Sequence, residues 1–527
     1  MKLWLPVLLL AYAGQEVEMA NILALFPLPL YSHTSNFIPI FKALAARGHN
    51  VTVVSPFPQK QPVPNLTDIV VDVGFNVFTD TNPIIDLTKV SERYFQLVEL
   101  WRFGDRMTEV ALQLDIVQKL IKDQTSKFDL IMIETYLFQE PFLAFGYKFK
   151  APVVNIHPSI LPASAALYTG NHVPFSYSPG RFSSFSHRMT FLERVESTFF
   201  HIWDILMTRV YLAWKQDYLM RKYLQPPELP ELPPITEMLM NTSLTLVNHN
   251  SAIGYPYPLH KNVVEFGGAN VKAADKLPED LQQIMDKAKD GVVFLSFGTF
   301  LNITTLSPSV QVAIVNALGK LKQTVLVKWV KPTHLNIDIP KNIIFREWYP
   351  QPSILAHPNC KLFISHCGVR SLLEAVYHGV PMVLVPLFAD QKYNAKFVEI
   401  NGYGRVLNLK KLTEDKLSHA INTVLNNPGY KERIMLRSAV FKDNPIDIMD
   451  NVVYWIEYVI RHKGAPHLRP AVLDLYWFQA FCLDVIAFYL FLIIFIIFAL
   501  IKIVSLSMYC IKLMFKKKEK SEKSKKE

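Results

Sequence analysis

The chain has 527 residues, half of them hydrophobic, with 35 prolines and only four cysteines. That length exceeds one typical core, so two or more domains are expected, and the composition excludes a disordered chain or a disulfide scaffold. The formal net charge is +10, but residues 512–527 hold eight lysines and three glutamates, so half of the excess lies in a tail beside an apolar segment; that is a membrane-topology signal, and no nucleic-acid partner is expected.

Lys2, the apolar run Leu3 to Leu10 and Ala11-Tyr12-Ala13 form a signal peptide over 1–14. An α/β domain is expected over 15–250. Asn21 to Pro27 forms a strand, and Asn36 to Ala46 carries Phe37, Ile40, Phe41 and Leu44 at helical spacing, closed by Gly48. Val51 to Val54 completes a βαβ unit. His33 falls between the first strand and the helix, at the sheet's carboxyl edge, where open α/β folds place their sites. An imidazole there suits proton abstraction. Further strands are expected at Phe128 to Ile133 and Val153 to Ile156. The region from Phe182 to Leu224 is aromatic-rich and irregular; acceptor binding, contact with a membrane surface and plain helical packing are all open for it. Proline-rich stretches at 226–234 and 254–258 mark the domain transition.

A second α/β domain is expected over 251–470, with strands at Val292 to Ser296, Thr324 to Val330, Ile343 to Phe345, Lys361 to Ser365 and Pro381 to Pro386. Alternation with helices implies parallel sheets in both halves. Ser296, Gly298 and Thr299 form a strand-end loop able to hydrogen-bond a diphosphate and a sugar. The run Phe363 to Gln391, FISHCGVRSLLEAVYHGVPMVLVPLFADQ, is the most informative stretch. A buried strand turns at His366-Cys367-Gly368 into a helix, the arrangement that points backbone N–H groups at a phosphate. His366 adds a side-chain donor, and Ser371 lies in the helix's first turn. Glu374 is placed for a ribose hydroxyl pair, and Asp390 and Gln391 suit sugar hydroxyls. Cys360 and Cys367 bracket one strand and cannot be bridged.

A transmembrane helix is expected over 478–504, where Val485 to Ile501 is 17 residues without a charge. A cytosolic basic tail follows over 505–527. With a cleaved signal, this places the body in the lumen. The end, Lys523-Ser524-Lys525-Lys526-Glu527, resembles a dilysine retrieval signal of endoplasmic reticulum proteins; a generic polybasic flank is the other reading. Of the four N-x-S/T sequons, Asn65 and Asn241 are the glycosylation candidates, because Asn50 opens a strand and Asn302 lies by the donor loop.

The Phe363 to Gln391 stretch resembles the signature of the UDP-glycosyltransferase family, the animal UDP-glucuronosyltransferase and UDP-glucosyltransferase group. Phe266-Gly267-Gly268, the run Gly291 to Thr299, Trp348-Tyr349-Pro350-Gln351, Trp455 to Tyr458 and Leu483 to Ile486 follow the family's order, so the resemblance covers nearly the whole chain. It implies a GT-B fold, two Rossmann-like domains facing a cleft, plus the C-terminal membrane helix. The segment around His33 resembles the family's catalytic-histidine segment. The family's orienting aspartate corresponds to Glu134 here. Trp348 matches the uracil-stacking residue and Gln351 a ribose or base contact; His366, Gly368 and Ser371 hold diphosphate. Arg370 replaces the asparagine usual in vertebrate members, and either strengthens phosphate binding or faces solvent.

The implied activity is transfer of a hexose from a UDP-sugar to a hydroxyl of a small lipophilic acceptor by an enzyme anchored in the lipid bilayer that needs no cofactor. The chain contains no Asp-x-Asp pair, which predicts metal-independent, inverting displacement. Asn248 stands where vertebrate glucuronosyl members carry a basic residue, which favours UDP-glucose over UDP-glucuronate. A dedicated glycolipid or sterol glucosyltransferase and a non-catalytic UDP-sugar-binding homologue are the alternatives. Homo-oligomer formation is possible.

Overall fold

The computed structural model describes residues 19–74, 93–136, 138–271, 275–299, 303–332, 335, 337–387 and 389–524. The signal segment at 1–14 and the sequon at Asn302 lie outside them. The chain divides into two compact units, at Arg469/Pro470.

The first unit contains two sheets, and every pairing within them is parallel. The first has strands β1 (Asn21–Leu25), β2 (Asn50–Ser55), β3 (Leu66–Val70), β4 (Leu130–Ile133), β5 (Val153–His157), β6 (Leu244–Val247) and β7 (Val263–Glu265) in the order 3-2-1-4-5-6-7. The second has β8 (Val292–Ser296), β9 (Thr324–Lys328), β10 (Ile343–Arg346), β11 (Cys360–Ser365), β12 (Met382–Leu384) and β13 (Gly404–Val406) in the order 10-9-8-11-12-13. The central strands β1, β4, β8 and β11 are apolar runs covered by helices on both faces, which is why they show no inside–outside alternation. Phe294 and Phe363, paired in register on β8 and β11, stack with ring centroids 5.3 Å apart.

Four features of the first unit differ from the sequence expectations. Helix α1 spans Tyr31–Ala46 and begins five residues earlier than Asn36. Its first turn closes because the His33 and Thr34 amides both donate to the Leu30 carbonyl, so His33 is a helical residue rather than a loop one. The region expected to be irregular is helical: α2 spans Phe191–Tyr211 behind a Thr190/Glu193 capping box and continues through a π turn at Leu212–Gln216. Its outward face leaves Leu192, Phe199 and Leu206 exposed, and these aromatic and apolar residues mask the usual helical pattern.

β7 pairs with β6, so the first sheet extends beyond residue 250. The last helix of the unit also returns to that sheet. Helix α5, Ile448–Arg461, starts at an Asp447 cap that accepts from the Met449 and Asp450 amides, and it buries Val452, Val453, Ile456 and Val459 in the same core as Ile22, Phe37 and Ile40. Between them come α3 (Val369–His378) and α4 (Gln391–Ile400), both beside the second sheet's site.

Of the sequons, Asn50 lies in β2 with its amide on Asn21. Asn65 and Asn241 are both exposed; Asn65 has φ 61° and donates to the Ala45 carbonyl, and Asn241 ends the helix Ile235–Met240. Cys360 and Cys367 are both free.

In the second unit the long helix, α6, runs Leu483–Ser524, with a candidate span at Leu483–Lys518 that contains an 18-residue window of mean hydropathy 2.9. It starts five residues after 478 and includes most of the segment expected as a tail. About 20 residues suffice to cross a hydrocarbon core, so it is longer than a crossing requires. Asp484 sits in the first turn and lysines gather in the last turns, both matching the helix dipole.

Candidate functional site

The carboxyl ends of both sheets open onto one cavity of about 1510 Å³ within the first unit. Its first-sheet wall carries Tyr31, His33, Ser35, Asn36, Tyr136 and Ser159. Its second-sheet wall carries Ser296, Gly298, Thr299, Trp348, Gln351, His366, Gly368, Arg370, Ser371, Glu374, Asp390 and Gln391. The cavity thus brings together every donor-side residue named from the sequence, together with His33.

His33 projects from the first turn of α1, and its Nδ1 lies 2.6 Å from Glu134 Oε1 at the end of β4. Leu25 and Ile133 are register partners, so the segments leaving β1 and β4 start side by side. Glu134 is buried behind the histidine and does not line the cavity. Burial pushes its carboxyl above the usual range while His33 opposes that shift. With Nδ1 engaged, Nε2 is the ring nitrogen left for a substrate proton. The Tyr136 ring lies 5.6 Å from the imidazole.

On the opposite wall, Ser296 and Ser365 are register partners at the ends of β8 and β11. The His366 ring lies between Gly298 and Gly368; a Cβ on either glycine would approach it to 2.7 Å. Burial, with Lys328 nearby, lowers His366 to about 4, so it is neutral at pH 7 and offers a hydrogen bond rather than a charge. Its Nδ1 is buried without a partner. Cys367 occupies the left-handed region at φ 66°, and burial raises its thiol well above the ordinary range, which makes it inert. Gly368 then caps α3, whose first backbone N–H groups face the cavity end.

The cation that sequence reasoning missed is Lys328, the last residue of β9. Its Nζ donates to the Gly298 carbonyl at 2.9 Å and lies 4.3 Å over the Trp348 ring. Burial lowers it to about 8. The only sequence signal was a lysine closing an apolar strand.

Glu374 is buried and held at both oxygens. Arg370 Nε donates to Oε1 at 3.0 Å and Gln351 Nε2 to Oε2 at 2.6 Å, with Ser371 Oγ 3.2 Å from the same amide. Arg370 also donates to Ser35 Oγ of α1 at 3.1 Å. It is therefore committed to neither solvent nor an open phosphate position, and links the two walls. Asp390 begins α4, accepts from Asn394 at 2.8 Å and has its carboxyl raised by burial. Gln391 accepts from the Leu387 amide at 2.8 Å. Asn248 is buried with its amide on the Pro158 carbonyl and is not part of the cavity lining.

A family model described as UDP-glucoronosyl and UDP-glucosyl transferase matches residues 23–521. UDP-glucosyltransferase 2 of Dactylopius coccus is 36% identical over 473 residues, covering 89% of this chain and 90% of its own. UDP-glucuronosyltransferase 1A1 of Mus musculus is 32% identical over 508 residues, covering 93% and 91%. Among solved structures, the calicheamicin glycosyltransferase CalG4 superposes with TM-score 0.55 at 18% identity over 85% of this chain and all of that one. The glycosyltransferase VinC, in complex with DTDP, gives 0.55 at 16% identity over 84% and 100%. These two share the fold, the GT-B arrangement of paired parallel sheets. The extent of the family match, over a cavity assembled from the signature residues, establishes that this chain belongs to the UDP-glucuronosyl and UDP-glucosyl transferase family and is a UDP-glycosyltransferase.

Proposed function

We propose that this UDP-glycosyltransferase moves glucose from UDP-glucose to a hydroxyl of small lipophilic acceptors, by inverting displacement without a metal. The carrying observation is the 2.6 Å contact between His33 and Glu134, facing the wall that holds the signature residues. His33 Nε2 takes the acceptor proton as the acceptor oxygen attacks the anomeric carbon. The bond from that carbon to the β-phosphate oxygen breaks, and its electron pair leaves with UDP. Glu134 stabilises the imidazolium that forms. The leaving diphosphate is met by Lys328, by the N–H groups opening α3 and by a hydrogen bond from His366. Trp348 stacks on uracil, Gln351 contacts ribose or base, Glu374 holds the ribose, and Asp390 and Gln391 hold the hexose.

The Dactylopius coccus relative's name supports glucose; Asn248, outside the cavity lining, does not bear on the donor. UDP-glucuronate is the second reading, supported by the name of the Mus musculus relative. The acceptor reading rests on a second cavity that shares Tyr136 with the cleft and is walled by Trp101, Phe138 and Phe182. We place the enzyme in the endoplasmic reticulum membrane, with α6 as a single anchor and the body in the lumen.

The test is UDP release by membranes carrying the protein or its His33→Ala variant. UDP-glucose and UDP-glucuronate are each offered with a phenol and sterol panel, with and without chelator. Turnover with UDP-glucose that disappears in the variant supports the reading. Equal turnover in the variant, loss on chelation, or UDP-glucuronate as the better donor each removes the corresponding part.

A further inference from the structure

The second cavity, about 650 Å³, has an uneven lining. Trp101, Phe138, Phe182 and Leu212 are apolar, but Glu140, His157 and Tyr168 line it too. All three are at least nine-tenths buried. Glu140 Oε2, His157 Nδ1 and the Tyr168 hydroxyl each lack a hydrogen-bond partner. A buried polar atom left unpaired costs about 1–3 kcal/mol, so three around one cavity form a set that a polar ligand group would satisfy. Glu140 opens a short 3-10 turn, Glu140–Leu143, whose next three residues are buried in the core. That packing fixes where the carboxyl stands.

The set has a defined chemistry. Burial raises the Glu140 carboxyl to about 8 and lowers His157 to about 3, so at pH 7 both are neutral. A neutral carboxyl donates and accepts, and so does a phenol. The charged residue on the lining, Arg181, is already engaged, 4.0 Å from Asp204 and over the Tyr136 and Phe182 rings. What fits is an uncharged hydroxyl.

We propose that Glu140 is a specificity-determining residue that hydrogen-bonds a second hydroxyl of the acceptor, remote from the one presented to His33. The preferred acceptors are then diols on an apolar, ring-sized body. This rests on the reading of the second cavity as the acceptor site. The carboxyl acts on recognition and takes no part in the transfer step.

The experiment compares a mono-ol with a diol of the same skeleton, 1-naphthol against 1,5-dihydroxynaphthalene, using full-length protein in membranes. The intact enzyme is expected to favour the diol by about tenfold or more in kcat/KM, from one buried hydrogen bond of that strength. Glu140→Leu brings the ratio close to the twofold statistical factor, mainly through KM for the diol. Glu140→Gln, which still donates and accepts, keeps the preference and controls for folding. Ala165→Trp fills the cavity and lowers turnover of both acceptors. An intact-enzyme ratio near two, or a ratio unchanged in Glu140→Leu while Ala165→Trp lowers both, overturns the role of Glu140 alone. Unchanged turnover in Ala165→Trp removes the acceptor-cavity reading itself.

Discussion

His33 Nδ1 and Glu134 Oε1 meet at 2.6 Å although 101 positions separate them in the chain. The contact follows from β1 and β4 lying side by side, so that the residues leaving each strand face one another. The family's aspartate is one methylene shorter, and here the longer side chain reaches the ring from a buried position. Glu134→Gln preserves the shape but removes the charge that supports an imidazolium. The expected outcome is a fall in kcat of about 10²–10⁴ with KM for the UDP-sugar unchanged. Steady-state kinetics at saturating acceptor read both values, and a change confined to KM would argue against the dyad.

Lys328 is expected to make donor binding pH-dependent. Its ordinary value is 10.5 and burial lowers it to about 8. Below about 8 it is charged and attracts the diphosphate; above that value the charge is lost and the attraction with it. UDP affinity should therefore weaken as pH rises from 7 to 9. Lys328→Met should bind UDP more weakly at pH 7 and show a flatter profile. Calorimetric UDP titrations across that range decide it, and a parallel profile in the variant would place the dependence elsewhere.

The wall that carries the signature residues was legible because its central element is contiguous: strand, glycine turn and helix follow one another from Cys360 to His378. The pairing of His33 with Glu134 depended on family resemblance, since nothing local connects residues 33 and 134. Lys328 and the Arg370–Ser35 contact come from sheet order and from apposition of the two walls, which no local pattern encodes. The return of α5 to the first sheet was hidden for a related reason. Its apolar face shows that it packs, not which sheet it packs on.

Gly298 and Gly368 make room for the His366 ring in different ways. At Gly368 the backbone is ordinary, with φ −60°, and only the 2.7 Å approach to Nε2 excludes a side chain. At Gly298 the same approach combines with φ 79°. Gly368→Ala should therefore displace the ring and weaken UDP binding about tenfold with little loss of stability. Gly298→Ala should weaken binding similarly and destabilise the fold by a further ~1 kcal/mol or more. Thermal melts beside UDP titrations separate the two, and equal melting temperatures would contradict the backbone argument.

Arg370 gives the last prediction. Its Nε holds Glu374 and its terminal nitrogen reaches Ser35, so one guanidinium balances a buried carboxylate and ties α3 to α1. Arg370→Asn leaves Glu374 with only Gln351 as a neutral donor, close to where an anionic diphosphate must sit. The arginine is partly exposed, so solvent screens part of the loss. UDP affinity is expected to fall about tenfold, equivalent to ~1.4 kcal/mol. Arg370→Lys keeps the charge without the fork and should fall in between. Ser35→Ala removes only the link between the walls and should leave UDP affinity nearly unchanged while lowering turnover. If Arg370→Asn binds UDP as well as the intact protein, Glu374 does not need the arginine's charge, and the residue's role reduces to joining the two walls.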